Sequence, residues 1–251
     1  MKTYYITSDI HSFYSELKVA LNRKGFRVRN KDHILIVCGD ICDRGKQAKN
    51  LVKFLTKLKN ENRLILIKGN HEWLMIHLLE DLKWHENISY THYTNGTLGT
   101  IEQFSGIDSF DILYGNYDFE KIWKSLEDYR NLIADCKNYY ELGNYIFVHG
   151  WIPYIRHYED LVNVKDEEWE RASWLNGMQE WNNGWKFKDK TIVCGHWHCS
   201  WGNYHYHGEG LGEFEKDSVF EPFIDKSIIA IDACTTWTHK VNVLIINDKD
   251  L

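Results

Sequence analysis

The stretch CGDICDRG, residues 38–45, places two aspartates, one arginine and two glycines directly after the apolar run ILIV at residues 34–37. The apolar run predicts a buried strand, whereas the charged side chains that follow cannot be buried without partners except at a high cost. We therefore infer that the strand delivers these charges to a site at its carboxyl end. The two glycines allow the backbone to turn tightly at that point.

Two further apolar runs end in the same way. TYYITS at residues 3–8 is followed by DIHS, and LILIK at residues 64–68 is followed by GNHE. Apolar residues on one helical face, between residues 13 and 21 and again between 48 and 58, predict helices that separate the strands. This β-α-β-α-β order predicts parallel pairing with right-handed crossovers. Since ligands bind at the carboxyl ends of parallel strands, the three polar clusters are expected to meet at one sheet edge.

The rest of the chain follows a different pattern. Helical periodicity at residues 72–83 and 118–135 predicts a helical insertion over about 72–140 that lies over the active-site edge. Later strands without intervening helices predict a second, largely antiparallel sheet. These strands are YIFVHG at 145–150, TIVCGHWH at 191–198, SIIAIDAC at 227–234 and KVNVLIIN at 240–247. No linker or repeat divides the chain, so the prediction is an α/β fold in a single domain spanning 1–251.

Composition and charge exclude several classes of protein. The 251 residues are 43% hydrophobic, which is enough for a sizeable core, and the formal net charge of −6 offers no attraction to a nucleic-acid backbone. No apolar run approaches the roughly 20 residues of a membrane span, and the N-terminus lacks a signal-peptide pattern. Six cysteines without a CxxC pair favour free thiols in a reducing compartment. We therefore expect a cytoplasmic protein without nucleic-acid or membrane partners.

The polar residues that close the strands form one set of oxygen and imidazole donors. They are Asp9, His11, Asp40, Asn70, His149, His196 and His198. Donors of this kind suit divalent manganese, iron or zinc. Seven ligands are too many for one four-coordinate metal and suit two metals with a shared ligand, for which Asp40 in the middle strand is best placed. Arg44, next to this acidic set, is suited to hold two oxygens of a phosphate.

Five motifs occur in order along the chain. They are D-x-H at residues 9–11, GDxxDRG at 39–45, GNHE at 69–72, HG at 149–150 and GHxH at 195–198. This order resembles the calcineurin-like metallophosphoesterase superfamily, and GDxxDRG with GNHE is typical of its phosphoprotein phosphatase branch. That branch includes serine/threonine phosphatases, the bacteriophage lambda-type phosphatase and the symmetrical diadenosine tetraphosphatases. The resemblance covers nearly the whole chain and implies a two-sheet β-sandwich flanked by helices.

The resemblance also implies a role for each motif residue. The site would hold two divalent metals, with manganese as the expected ion. The ligands of the first metal would be Asp9, His11, Asp40 and His198. The ligands of the second would be Asp40, Asn70, His149 and His196. His71 would protonate the leaving oxygen, Asp43 would orient His71, and Arg44 would bind the phosphate. A hydroxide that bridges the two metals would attack phosphorus directly. The arginines that bind phosphate later in such families have no clear counterpart here, and Arg171 is the best candidate.

These roles lead to one leading hypothesis and several alternatives. The leading hypothesis is a dinuclear-metal phosphatase acting on phosphoserine or phosphothreonine proteins or on small phosphate esters. The second is a symmetrical diadenosine tetraphosphate pyrophosphohydrolase, because the same metal core serves both reactions. Nuclease or cyclic phosphodiesterase activity is disfavoured, since GDxxDRG marks another branch. A metal-binding pseudophosphatase is the non-enzymatic alternative, and the presence of His71, Asp43 and Arg44 argues against it.

Overall fold

The computed structural model describes residues 1–250, whose strands form two sheets flanked by helices. The strands are β1 Thr3–Thr7, β2 His33–Cys38, β3 Leu64–Ile67, β4 Tyr140–Leu142, β5 Tyr145–Phe147, β6 Thr191–Cys194, β7 Phe223–Asp225, β8 Ile228–Ala230 and β9 Leu244–Asn247. The helices are α1 Tyr14–Arg23, α2 Ala48–Asn60, α3 Asn70–Trp84, α4 Tyr90–Thr94, α5 Thr97–Ser105, α6 Ser109–Leu113, α7 Phe119–Ser125, α8 Glu127–Ala134, α9 Asp166–Ala172, α10 Gly177–Asn182, α11 Cys199–Gly202 and α12 Thr235–Thr238.

The first sheet has the strand order β3-β2-β1-β9. β1, β2 and β3 pair in parallel, and β9 pairs antiparallel with β1. Alternate residues of a strand point to opposite faces, so Leu35 packs with the core under α1 and α2, while Ile36 packs toward the second sheet. Burial on both faces explains why these strands are almost continuously apolar.

The second sheet has the order β4-β5-β6-β8-β7. Phe147 and Val193 of this sheet pack in one core cluster with Ile6 and Ile36 of the first sheet, so the two sheets share an apolar interior. Trp169 of α9 and Met178 of α10 belong to a separate core cluster with residues of β6 and β8. The prediction of an α/β fold with two sheets flanked by helices is confirmed.

Two details of the predicted topology are wrong. The second sheet is mixed, because β5 pairs in parallel with β6, and β6 with β8, while only its outer pairs are antiparallel within residues 1–250. Helices α9 and α10 lie between β5 and β6 and return the chain to the start of a parallel strand. The strand predicted at 240–247 does not join this sheet, because β9 lies at the edge of the first sheet beside β1.

Helices α3 to α8 occupy the chain between β3 and β4, where the sequence predicts a helical insertion. The single helix expected over 118–135 is divided into α7 and α8 at Leu126. Side chains of this segment, among them Leu98 and Ile122, share one core cluster with α1 and α2. Within residues 1–250, none of the helices combines the length and apolar character needed to span a bilayer. The assignment of the whole chain to a single domain stays a prediction.

Candidate metal centre

Sharp turns follow β1, β2 and β6 and carry several of the candidate site residues. Positive φ angles between 48° and 74° occur there at Asp9, His11, Ser12, Asp40, Asp43, Arg44 and His196. Residues other than glycine rarely adopt this conformation, and they persist in it where the surrounding structure holds them. Gly39 precedes the central turn with a φ of 82°, and a Cβ atom there would lie 2.7 Å from the Cα of Gly69. Only glycine therefore fits between these two loops.

Asp40 faces two groups of ligand atoms. Its Oδ2 lies 3.6 Å from Nε2 of His11, and its Oδ1 lies 3.2 Å from Nε2 of His149. Among residues 1–250, two groups of three ligand atoms lie within 4.8 Å of one another. One group is His11, Asp40 and His71, and the other is Asp40, His149 and His196. Asn70 Oδ1 lies 2.8 Å from Nε2 of His149, beside the second group. Asp40 is common to both groups, so its two oxygens can serve two cations.

Backbone carbonyls determine which nitrogen each imidazole presents to the site. Nδ1 of His149 donates to the carbonyl oxygen of Cys38 at 2.8 Å, and Nδ1 of His11 donates to the carbonyl oxygen of Cys42 at 3.1 Å. Burial lowers the pKa of His11, His149 and His196, which favours the neutral, metal-binding form of each ring. In His11 and His149, Nε2 is thereby left with a lone pair that faces Asp40.

The charges and acceptors of the site fit divalent cations. Nε2 of neutral His149 and Oδ1 of Asn70 are both acceptors, and a cation between them would satisfy both. Asp9 is buried beside His196, whose backbone N–H donates to Oδ2 of Asp9 at 2.9 Å. Burial raises the pKa of Asp9 to about 6, with His149 opposing the rise and Asp40 adding to it. Crowded carboxylates and neutral imidazoles of this kind are the donor set of a site with two metals.

His71 lies between a carboxylate and an arginine. Its Nδ1 is 2.7 Å from Oδ2 of Asp43, and its Nε2 is 3.1 Å from Nη2 of Arg44. Burial acts to lower the pKa of His71, but the charges of Asp40 and Asp43 raise it to about 9. Nη1 of Arg44 lies 3.2 Å from Nε2 of His11, so this exposed guanidinium spans two imidazoles at the entrance to the site.

The family comparison agrees with this geometry. The model of the calcineurin-like phosphoesterase family matches residues 2–221, which is most of the chain. The chain belongs to the calcineurin-like phosphoesterase family. The resemblance inferred from the five motifs is thereby confirmed, and the ligand groups around Asp40 lie within the matched residues.

Relatives of this chain include enzymes with different names. The symmetrical bis(5'-nucleosyl)-tetraphosphatase of Buchnera aphidicola subsp. Acyrthosiphon pisum is 33% identical over 90 residues, which is 36% of this chain and 31% of that protein. Shewanella-like protein phosphatase 1 of Plasmodium berghei is 29% identical over 152 residues, 57% of this chain and 37% of that protein. The aligned part of the chain thus spans about a third of the length of these curated relatives.

Several similar solved structures cover nearly the whole chain, and one of them illustrates the likeness. The cold-active protein-tyrosine phosphatase of a psychrophilic Shewanella species aligns over 98% of this chain and 76% of that chain, with a TM-score of 0.55. The two sequences are 14% identical over this alignment. At this level of identity the likeness shows a shared fold, which agrees with the two sheets and flanking helices described above.

The predicted ligand Asp9 belongs to neither ligand group, and the predicted site residues His198 and Arg171 also lie outside both groups. Nδ1 of His198 is 2.9 Å from Oγ of Ser200, and its Nε2 is 3.5 Å from a carboxylate oxygen of Glu213. Arg171 is exposed near the end of α9, three residues before Trp174, whose ring meets His196 edge-on. The roles of His198 as a ligand and of Arg171 as a phosphate contact stay predictions.

Glu72 joins the two central turns, and the motif analysis assigned no role to it. Its carboxylate accepts the backbone N–H groups of Gly69 at 2.8 Å, and of Asp40 and Ile41 at 2.9 Å. The side chain is fully buried. Glu72 stands three residues after Gly69, the N-cap of α3, and a glutamate at this spacing from a cap is the signal that could have identified it.

Asp232 is a further buried carboxyl group that the sequence analysis missed. It follows β8, and its Oδ1 accepts the backbone N–H of Cys234 at 2.7 Å. Burial, together with the charge of Asp9, raises the pKa of Asp232 well above its ordinary value. Asp232 therefore lies within electrostatic reach of the metal centre. The signal was present in SIIAIDAC, where a polar residue closes an apolar strand as in the other motifs.

Proposed function

We propose that this protein is a metal-dependent phosphoric ester hydrolase that cleaves phosphate monoesters, either phosphoserine and phosphothreonine in proteins or small esters. The observation that carries this proposal is the position of Asp40, whose two oxygens face two separate groups of imidazole ligands. Arg44 and His71 lie at the same place and supply a phosphate contact and a proton donor. Membership of the calcineurin-like phosphoesterase family supports the same reaction class.

Two divalent metals, with manganese as the expected ion, would be held by the strand-end residues. One would be held by Asp9, His11, Asp40 and His198, and the other by Asp40, Asn70, His149 and His196. When bound, the metals supply a nucleophile made from water at neutral pH and neutralise charge on the phosphoryl group. Every other contribution to the reaction comes from side chains of this chain.

Arg44 changes its partners when a phosphate binds. In the described structure Nη1 of Arg44 lies 3.2 Å from Nε2 of His11, and its Nη2 lies 3.1 Å from Nε2 of His71. Phosphate oxygens are charged acceptors that match the planar guanidinium, so substrate draws Arg44 away from both rings. Nε2 of His71, which carries a proton, then faces the departing group.

His71 gives that proton from Nε2 to the oxygen of the departing group. Asp43 accepts the hydrogen bond from Nδ1, which orients the ring and favours its protonated form. A general acid of this kind typically contributes about 10²–10⁴-fold to the rate. The contribution matters most for an alkoxide such as the serine oxygen, because an alkoxide is a poor leaving group without a proton.

Dinucleoside polyphosphates are the second candidate substrate. Curated relatives that bear the name bis(5'-nucleosyl)-tetraphosphatase support this alternative. The structure adds Trp174 and Trp197, which are 45% and 37% exposed and whose ring centroids each lie 5.9 Å from that of His196. Exposed indoles beside a phosphate site offer stacking surfaces for a nucleobase.

A substrate panel tests both candidates. The purified chain is loaded with manganese and assayed with p-nitrophenyl phosphate, a phosphoserine peptide and diadenosine tetraphosphate. We expect turnover that requires added metal and stops when a chelator is present. Faster cleavage of the peptide supports the phosphatase. Faster cleavage of diadenosine tetraphosphate, with two molecules of ADP as the product, supports the second candidate. No turnover of any substrate by metal-loaded protein would leave the pseudophosphatase as the correct alternative.

A further inference from the structure

The carboxylate of Asp43 is held by α5 as well as by His71. Oγ1 of Thr97 donates to Oδ2 of Asp43 at 3.0 Å, and Oγ1 of Thr100 donates to Oδ1 at 2.6 Å. The hydroxyl oxygen of Thr100 also accepts the backbone N–H of Asp43 at 3.0 Å. Both threonines are fully buried. Both carboxylate oxygens and the backbone of Asp43 are therefore bound by a single helical turn.

The turn that carries Asp43 depends on outside support. Asp43 and Arg44 are consecutive residues with φ angles of 74° and 59°, a conformation that costs free energy unless surrounding contacts hold it. The start of α5 approaches this turn closely because residue 96 is glycine. A Cβ atom at Gly96 would lie 2.5 Å from the backbone nitrogen of Arg44. The helix therefore meets the turn backbone to backbone, which brings both threonine hydroxyls within reach of the carboxylate.

We propose that Thr97 and Thr100 are positioning residues that hold Asp43 in the orientation in which its Oδ2 meets Nδ1 of His71. The proposal rests on the proposed phosphoric ester hydrolysis, in which His71 is the acid. Without the two hydroxyls the carboxylate is free to rotate, and its hydrogen bond to Nδ1 is no longer specified. Proton donation by His71 then depends on Thr97 and Thr100, which lie 54 and 57 positions after Asp43 in the sequence.

Valine substitutions remove the hydroxyl groups while keeping the side-chain shape. Thr97→Val, Thr100→Val and the double variant are loaded with manganese and assayed with p-nitrophenyl phosphate and phenyl phosphate. The two esters share an aromatic ring, but phenoxide is the poorer leaving group and needs the proton more. We expect kcat for phenyl phosphate to fall about tenfold in each single variant, with KM unchanged. We expect kcat for p-nitrophenyl phosphate to fall less than about twofold, because its leaving group needs little protonation.

Matched variants separate positioning from general loss of structure. Thr97→Ser and Thr100→Ser keep the hydroxyl groups and should restore turnover of phenyl phosphate. Thr56→Val is the control for loss of a threonine hydroxyl, because the buried Oγ1 of Thr56 has no hydrogen-bond partner among the described residues. It should leave both rates unchanged. Metal content and the midpoint of thermal unfolding are measured for every variant.

Proton NMR of the metal-free chain gives a readout that does not depend on activity. The Nδ1 proton of His71, bonded to Asp43, should appear as a far-downfield resonance that disappears in His71→Asn. We expect it to broaden in the double valine variant and to stay sharp in the serine variants and in Thr56→Val.

Three results would overturn the inference. Equal losses on both esters with reduced metal content would show a merely structural role for the two threonines. An unchanged ratio of the two rates, with a sharp Nδ1 resonance in the double valine variant, overturns this inference alone while the proposed hydrolase stands. If the unsubstituted chain hydrolyses neither ester, the proposed function fails and the inference fails with it.

Discussion

The two sides of the metal centre are built differently. On one side, the turns at residues 9–12, 39–45 and 69–72 are mostly buried and are tied together by hydrogen bonds that Glu72 accepts and by hydrogen bonds between backbone groups. On the other side, residues 203–220, here named the aromatic loop, present half-exposed rings such as Phe214, which lies 4.5 Å from the ring of His198. We infer that the buried turns carry out the reaction, because their hydrogen bonds hold reactive groups in place. The aromatic loop is suited to substrate selection, because its exposed rings can contact varied substrates.

Hydrogen bonding follows the same division. In the buried turns, a carboxylate such as Glu72 accepts several backbone N–H groups and leaves little freedom. In the aromatic loop, Glu213 instead pairs with His205 at 3.0 Å and with His198 at 3.5 Å in partly exposed positions. Exposed pairs of this kind contribute little to stability. We therefore expect substitutions in the buried turns to have much larger effects than those in the aromatic loop.

The largest effect is expected from Asp40→Asn in the buried turns. Both ligand groups lose their shared carboxylate charge, so hydrolysis should be abolished and the metal content should fall. Metal analysis by mass spectrometry and kcat on p-nitrophenyl phosphate measure the two effects. Asp217→Asn makes the same chemical change in the aromatic loop and should keep both metal and activity. Full metal occupancy in Asp40→Asn would contradict the shared-ligand role.

A smaller but still large effect is expected from His71→Asn. The variant loses the proton donor while the proposed metal ligands remain, so turnover should fall by about 10²–10⁴-fold with both metals still bound. Metal analysis and single-turnover kinetics on a phosphoserine peptide check this expectation. His71 belongs to the first ligand group, so it could also bind metal. Loss of metal from the variant would show that His71 is a ligand and would contradict its assignment as the acid.

Glu72→Ala tests whether the buried turns depend on a single carboxylate. The substitution leaves three buried backbone N–H groups without an acceptor. Each such group costs about 1–3 kcal/mol, so we expect a loss of at least about 3 kcal/mol in the free energy of unfolding. Urea unfolding gives this value. Glu213→Ala in the aromatic loop should change the free energy by less than about 0.5 kcal/mol, and equal losses in the two variants would remove the contrast.

The smallest effect is expected from Trp174→Ala, beside the aromatic loop. If the indole stacks on a nucleobase, KM for diadenosine tetraphosphate should rise by at least about fivefold, since one stacked base contributes about 1–3 kcal/mol. KM for a phosphoserine peptide should stay unchanged, because the peptide carries no base. Trp123→Ala replaces another exposed tryptophan, on α7, and serves as the control. An equal rise in KM for both substrates would argue against a stacking surface.

Local patterns located most of the candidate site. Asp9, Asp40 and Asn70 each follow an apolar strand, and strands of this kind are specified by neighbouring residues. The same signal at Asp232 was present but was not used. The partners of Asp43 could not be found in this way, because Thr97 and Thr100 lie on a helix whose periodicity says nothing about which loop it approaches. The edge position of β9 was missed for a similar reason, since a strand pattern does not name its partner.

The amino-acid order alone therefore specifies strands that end in donors for metal and phosphate, because apolar periodicity, glycines and motif spacing act over a few neighbouring residues. The folded chain adds the arrangement of those donors. It places the two oxygens of Asp40 toward different imidazoles and packs α5 against Asp43. It also brings Trp174 and Trp197 beside His196. These contacts arise when sheets and helices pack, and packing joins residues far apart in the chain that no local pattern relates to one another.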